Sequence, residues 1–107
     1  MQVKVSARHG HLTDELHTEI TAKAEKLLHF FDRLMLIEVT LDLRGAEKLV
    51  EVIATAEHKH TFVGHASAPD LLAAAAAAIE KAKQQIKHYK EKIQDHRGDP
   101  PISGASR

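Results

Sequence analysis

The side chains of this sequence best suited to binding chemistry are basic, and they are concentrated near its C-terminus. Between positions 81 and 97, six lysine or arginine residues stand against two acidic residues. Several positive charges on one rigid element are typical of a surface that binds phosphate groups. A solvated face of a long helix would have the same composition. The six basic residues are Lys81, Lys83, Lys87, Lys90, Lys92 and Arg97.

A second, smaller basic set lies earlier in the chain and comprises Lys23, Lys26 and Arg33. If the two helices that carry these sets pack side by side, their lysines would join in one groove or ridge. The alternative is that Lys23 and Lys26 pair with Glu19 and Glu25 on the helix surface. Such pairs contribute only ~0.3–0.5 kcal/mol each. Spacing alone leaves both interpretations open.

Nine histidines raise the question of a metal site. His9 and His11 flank a glycine, and His58 and His60 lie two residues apart. A structural zinc site needs four ligands at defined spacing and usually includes cysteine, which this chain lacks. We therefore expect exposed polar histidines and no bound metal, and we keep a metal-handling protein as an alternative function.

Signatures of catalysis are missing from the sequence. It contains no GxSxG elbow, no glycine-rich phosphate loop and no HExxH helix. We therefore predict that the protein is not an enzyme, needs no cofactor and has no small-molecule substrate.

The elements that must position the basic residues follow from periodicity. Alternating apolar residues predict strands over residues 2–6, 37–44, 50–56 and 60–66. Apolar stripes at spacings of three and four predict a helix from Thr13, its N-cap, to about residue 32, and another from about residue 70 to residue 94. Ser67 and Asp70 have the spacing of a capping box for the second helix. That helix would be longer than the sheet beneath it.

The order β-α-β-β-β-α predicts an α+β fold, in which two helices cover one face of a four-stranded mixed sheet. Three of the four aromatic residues lie on core stripes, so base stacking is not expected. The other sheet face should be wet, because it carries Lys4, Glu38, Asp42, Glu51 and His65.

One domain is expected over residues 1–97, with a disordered C-terminal tail over residues 98–107 that has almost nothing to bury. No apolar run approaches the roughly 20 residues that a membrane span needs, and no secretion signal is evident. We therefore expect a cytoplasmic protein without a membrane partner.

Short segments along the chain resemble the short ribosome hibernation factors, namely the hibernation promoting factor and its paralogue, the ribosome-associated inhibitor. The likeness covers residues 1 to about 96. The segments are Met1-Gln2-Val3, Leu12-Thr13, Thr21-Ala22-Lys23, Lys26-Leu27, Phe30-Phe31-Asp32-Arg33, Ala66-Ser67, Asp70, Ala73-Ala74, Ile79-Glu80-Lys81, Gln85, Lys90 and Lys92.

This resemblance implies binding to the small (30S) ribosomal subunit through 16S rRNA, in the channel that holds messenger RNA and the A- and P-site transfer RNAs. Translation would be blocked and the idle ribosome protected. The protein would be monomeric off the ribosome. The family's basic contacts would fall on Lys23, Lys26, Arg33, Lys81, Lys87, Lys90 and Lys92, with Lys83 as a local addition.

The chain departs from the family pattern at several positions. Where relatives often carry Tyr-Ala-Ala-Ile-Asp, residues 72–76 are Leu-Ala-Ala-Ala-Ala, so an aromatic residue is lost at Leu72. Ala76 stands where relatives often carry an acidic residue, and Gln84 stands where a basic residue is frequent. We expect the change at Ala76 to affect packing more than binding, and Gln84 to lower affinity. The remaining alternative is a free double-stranded RNA-binding domain, since such modules combine an antiparallel sheet with a basic C-terminal helix.

Overall fold

The order of the elements follows the alternation and helix periodicity of the sequence. The computed structural model describes residues 2–98, and the side chains of residues 2–92. The predicted tail at residues 99–107 lies outside this range, while Gly98 is the last residue of the second helix. The predicted order β-α-β-β-β-α is confirmed. The elements are β1 (Gln2–Arg8), α1 (Asp14–Phe30), β2 (Leu34–Asp42), β3 (Lys48–Ala56), a 3-10 turn (Glu57–Lys59), β4 (His60–Ala68) and α2 (Leu71–Gly98).

The four strands form one mixed sheet in the order β1-β2-β3-β4. β1 runs parallel to β2, with Val3 opposite Ile37, and the other two pairs are antiparallel. A bulge between Leu34 and Leu36 shifts the register of β2. Because the bulge adds one residue, Leu34 and Ile37 are both buried although they lie three positions apart.

Local hydrogen bonds decide where the helices begin. The Thr13 hydroxyl accepts a hydrogen bond of 3.2 Å from the Leu16 N–H. The predicted cap of α1 is therefore confirmed. The predicted capping box of α2 is wrong. Ser67 belongs to β4, and the Asp70 carboxylate caps α2 by accepting a hydrogen bond of 3.0 Å from the Ala73 N–H.

The helix ends also differ from the prediction. α1 ends at Phe30, about two residues early, because Phe31 already has an extended backbone with φ −147°. α2 continues to Gly98, four residues beyond the predicted end. With a rise of ~1.5 Å per residue, this helix is on the order of 40 Å long.

Small residues let α2 approach the sheet closely. Gly64 of β4 faces this helix, and a Cβ added there would collide with the Ala78 carbonyl oxygen and lie 2.7 Å from the Ala82 nitrogen. Both alanines are fully buried. Both helices pack on the same sheet face, where they bury Ile20, Ala24, Leu27, Ala74, Ala75, Ala78, Ile79, Ala82 and Ile86 against the strands.

The opposite sheet face is mostly polar, as the alternation predicts. Lys4, Glu51 and His65 are exposed there, whereas Glu38 and Asp42 are half-buried. Two large apolar residues on strands are nevertheless exposed, namely Met35 at 57% and Leu49 at 49%.

Candidate nucleic-acid interface

The two helices leave an open groove between them on the side away from the sheet. Lys23 and Lys26 of α1 line one wall, and Lys83 of α2 lines the other. We call this feature the basic groove. Its volume is about 220 Å³, and Glu80 is the one carboxylate among its lining residues. The structure thus brings together lysines that are distant in the sequence, and the groove expected from side-by-side helices is present.

Apolar and small side chains make up the rest of the groove. Leu27 and Ile79 are buried beneath it, and Ala76 lines it. The Glu80 carboxylate accepts a hydrogen bond of 2.8 Å from the Gln84 amide, so this acid is engaged within α2. The groove is therefore a positively charged channel with a short, uncharged floor.

One end of the groove is organised around Phe30, the last residue of α1. The Lys90 ammonium donates a hydrogen bond of 2.7 Å to the Phe30 carbonyl oxygen. The nitrogen of Lys90 lies 4.5 Å from the centroid of the Phe30 ring, and that of Lys83 lies 5.1 Å from it. Such cation–π contacts contribute about 0.5–1 kcal/mol at exposed sites. Two of the predicted phosphate ligands are thus held in place by the ring and carbonyl of one residue.

Two further predicted residues lie outside the lining of the groove. Lys87 is exposed, and it follows Lys83 by four residues, which places it on the same flank of α2. Arg33 is exposed just beyond α1, and its carbonyl oxygen accepts a hydrogen bond of 3.2 Å from the Glu57 N–H. Lys87 and Lys90 therefore continue the flank of Lys83, whereas Arg33 lies in the loop after α1, beside the turn that follows β3.

The remaining lysines of α2 do not join this surface. The Lys81 ammonium donates a hydrogen bond of 3.0 Å to the His65 carbonyl oxygen on β4. Lys92 is exposed and follows Lys81 by eleven residues, close to three helical turns, so it lies on the same flank. The expectation of one continuous ridge is wrong for these two residues, because α2 separates them from the basic groove. The side chain of Arg97 lies outside the described residues.

The flank that carries Lys81 covers the edge of the sheet. Gln85 also lies there, and its side-chain oxygen accepts a hydrogen bond of 3.0 Å from the Val63 N–H. β4 is an edge strand, and its outward backbone groups would otherwise be open to pairing with another chain. Lys81 and Gln85 therefore have a structural role that the charge pattern of the sequence did not reveal.

Comparison with known proteins places this geometry in a family. The sequence model of the family described as "Sigma 54 modulation protein / S30EA ribosomal protein" matches residues 3–94. The chain belongs to this family. The ribosome hibernation promoting factor of Escherichia coli (strain K12) is 31% identical over 98 residues, which cover 90% of this chain and 100% of that protein. The factor of Klebsiella oxytoca is 30% identical over the same shares. The resemblance to short hibernation factors is confirmed.

Solved structures agree on the fold of this family. A ribosomal subunit interface protein from Coxiella burnetii superposes with a TM-score of 0.70 at 18% identity, over 85% of this chain and 99% of that one. The N-terminal domain of Thermus thermophilus Protein Y gives a TM-score of 0.73 at 22% identity, over 83% and 99%. In the described part of the chain, no helix is long and apolar enough to cross a membrane.

The structure shows where one departure from the hibernation-factor pattern lies. Ala76 lines the basic groove, so the absence of an acid there removes negative charge from the proposed binding surface. Ala76 is exposed and does not belong to the core, and its effect on binding stays a prediction. Gln84 is exposed and donates its amide hydrogen bond to Glu80, and its effect on affinity stays a prediction.

The two histidine pairs of this family member lie at opposite ends of the sheet. His9 follows β1 and pairs through Nδ1 with the Asp42 carboxylate at 2.9 Å, at the C-terminal end of β2. His58 lies within the turn after Ala56, and His60 directly follows that turn. Ala56 lies opposite Leu34 at the other end of β2. The pairs therefore cannot share one ion, and the described residues contain no group of three or more metal-ligating side chains.

The contact between His9 and Asp42 has an electrostatic consequence. The hydrogen bond from His9, followed by that from the Arg44 N–H, lowers the pKa of the Asp42 carboxyl below its ordinary value, because both bonds favour the charged form. The contact joins residues 33 positions apart, and nothing in the local sequence pattern indicates it.

Proposed function

We propose that this protein is a ribosome hibernation factor that binds the small ribosomal subunit through 16S rRNA. It occupies the channel of messenger RNA and of the A- and P-site transfer RNAs, blocks translation and protects idle ribosomes. It acts by binding and not by catalysis. The observation that carries this proposal is the basic groove between α1 and α2, in a chain that belongs to the hibernation-factor family.

The charge distribution supports a local RNA-binding surface. The chain has 15 basic and 15 acidic residues, so its net charge gives no general attraction to nucleic acid. Exposed charges act over about 8–10 Å at physiological salt, so a bound phosphate responds mainly to the amines nearest to it. Lys23, Lys26 and Lys83 meet at one groove and can neutralise a phosphate backbone that follows it.

The stiffness of the fold supports a steric mechanism. α2 packs on β3 and β4, and Gly64 lets it approach β4 closely. The hydrogen bond from Lys90 to the Phe30 carbonyl oxygen joins α2 to α1. A helix on the order of 40 Å long on a rigid sheet keeps its shape when it rests on RNA. Such a body excludes other ligands from the space it fills, without any chemical step.

Cosedimentation with purified 30S subunits, over a salt series from about 50 to 300 mM, tests the proposal. Binding should weaken steeply, with roughly one unit of log–log slope per phosphate neutralised. The double variant Lys83→Glu/Lys87→Glu should abolish binding. Lys81→Glu, the same reversal on the other flank of α2, should weaken it much less. Binding that is absent or insensitive to salt would overturn the proposal.

Two competitors locate the site. Transfer RNA bound at the P site of the 30S subunit should be displaced by the protein, because both would fill the same channel. A plain RNA duplex at equal nucleotide concentration should compete poorly. Equal competition by the duplex would instead indicate a general double-stranded RNA-binding domain.

A further inference from the structure

The rings of His60 and Tyr89 lie against each other at the edge of the core and are not fully buried. The His60 ring at the start of β4 lies 4.2 Å from the Tyr89 ring of α2, centroid to centroid, and the two planes are tilted by 33°. We propose that this pair, the His60–Tyr89 shelf, stacks one unpaired nucleobase of an RNA strand whose phosphates lie in the basic groove. This inference rests on the proposed function and adds a second kind of contact to it.

The shelf differs from the aromatic core beside it in exposure. Phe31 and Phe62 are only 6% and 3% exposed, so their rings are covered on both faces. They meet Tyr89 edge to face, with centroids 5.9 and 5.5 Å away. His60 is exposed, and Tyr89 is only half-buried although its position on a core stripe led us to expect no base stacking. His60 and Tyr89 therefore expose ring surface to solvent, while Phe31 and Phe62 beneath them are buried.

The backbone before His60 is held in an unfavourable conformation. His58 and Lys59 have φ of 65° and 61°. This left-handed region is sterically unfavourable for residues other than glycine. A hydrogen bond of 3.2 Å from the Glu57 N–H to the Arg33 carbonyl ties this turn to the loop after α1. The turn thereby sets His60 on the same face of β4 as Phe62, against Tyr89.

The contact proposed for the shelf is aromatic stacking, since the shelf consists of two rings. A base that stacks on an aromatic ring raises affinity roughly 5- to 150-fold whatever its identity, since every base has a π-face. The shelf therefore suits an uncharged base, while the phosphates are neutralised by the lysines of the groove.

The position of the shelf relative to the groove allows one strand to use both. Tyr89 directly precedes Lys90, the residue that closes the groove at Phe30. Phe31 follows Phe30 and contacts Tyr89. A strand that leaves the groove past Phe30 and Lys90 can therefore continue to the shelf, because Phe31 and Tyr89 follow and precede these two residues directly.

NMR on the whole chain tests the shelf directly. The sequence has one tyrosine and no tryptophan, so the Tyr89 ring signals are unambiguous. An oligoadenylate of about six nucleotides is compared with an abasic ribose-phosphate oligomer of equal length and charge. The oligoadenylate should shift the His60 and Tyr89 ring protons upfield and bind at least about 5-fold more tightly. The abasic oligomer should affect only the groove.

Variants separate stacking from charge. His60→Ala should remove the preference for the oligomer with bases, and His60→Phe should retain it. His65→Ala, which removes an exposed imidazole from the opposite sheet face, should change nothing. Equal binding of both oligomers overturns the shelf and leaves the groove proposal standing. If neither oligomer binds, the shelf proposal is also overturned. The cosedimentation assay with 30S subunits then tests the groove proposal separately.

Discussion

The ammonium group of Lys90 donates a hydrogen bond of 2.7 Å to the carbonyl oxygen of Phe30, sixty residues earlier in the chain. Phe30 is the last residue of α1, and the last carbonyls of a helix have no partner within it. Lys90 satisfies one of them, and its nitrogen also lies over the Phe30 ring. A single lysine of α2 therefore fastens the end of α1 and places positive charge at the end of the basic groove.

Replacing Lys90 with alanine should lower stability as well as RNA binding. A half-buried, charged hydrogen bond is lost, and the free energy of unfolding should fall by about 1–3 kcal/mol. Lys87→Ala is the matched control, because its exposed amine should affect binding while changing stability by less than about 0.5 kcal/mol. Urea unfolding of both variants measures the difference. Equal midpoints would show that the contact with Phe30 does not stabilise the fold.

Lys81 and Lys83 should differ in their effect on binding, although they are two residues apart. Lys83→Ala removes an amine from the groove and should reduce the slope of log affinity against log salt by about one. Lys81→Ala removes an amine bonded to the His65 carbonyl and should leave the slope almost unchanged. Affinities for 30S subunits across a salt series check both values. Equal loss of slope would contradict the assignment of the two flanks.

Gly64→Ala should be strongly destabilising. The new methyl group would meet the backbone of α2 at Ala78 and Ala82. Helix and strand must then separate, at a cost of about 2–3 kcal/mol. Gly10→Ala is the control, because its methyl group would meet only the flexible Leu43 side chain, 3.0 Å away. Thermal unfolding should show the larger loss for Gly64→Ala, and similar losses would mean that α2 does not need this close approach.

The contact between His9 and Asp42 should be visible in an acid titration. The hydrogen bond from His9 lowers the pKa of the Asp42 carboxyl. Its stabilising effect is therefore complete above the ordinary value of about 4 and should be lost as the pH falls through the lowered pKa. In His9→Ala, the NMR titration midpoint of the Asp42 carboxyl should move up toward the ordinary range. An unchanged midpoint would show that other groups lower this pKa.

Local sequence patterns were enough to predict most of the fold. The alternation around Val39 and Val52 and the stripe from Ile20 to Phe31 indicated the elements and their buried faces. Thr13 was recognisable as a cap because its partner is three residues away. The cap of α2 was misplaced because Ser67 and Asp70 both suit that role, and only the length of β4 distinguishes them.

The sequence by itself determined that lysines are concentrated on two helices, because composition and periodicity are local properties. Only the tertiary structure decided which of them act together. Lys81 and Lys83 are separated by a rotation of about 200° around α2, and the neighbours of each flank depend on the order of the strands. α1 lies on one side of α2, and the free edge of β4 lies on the other. Lys83 therefore faces the groove and Lys81 faces the sheet edge because of contacts between segments that are distant in the sequence.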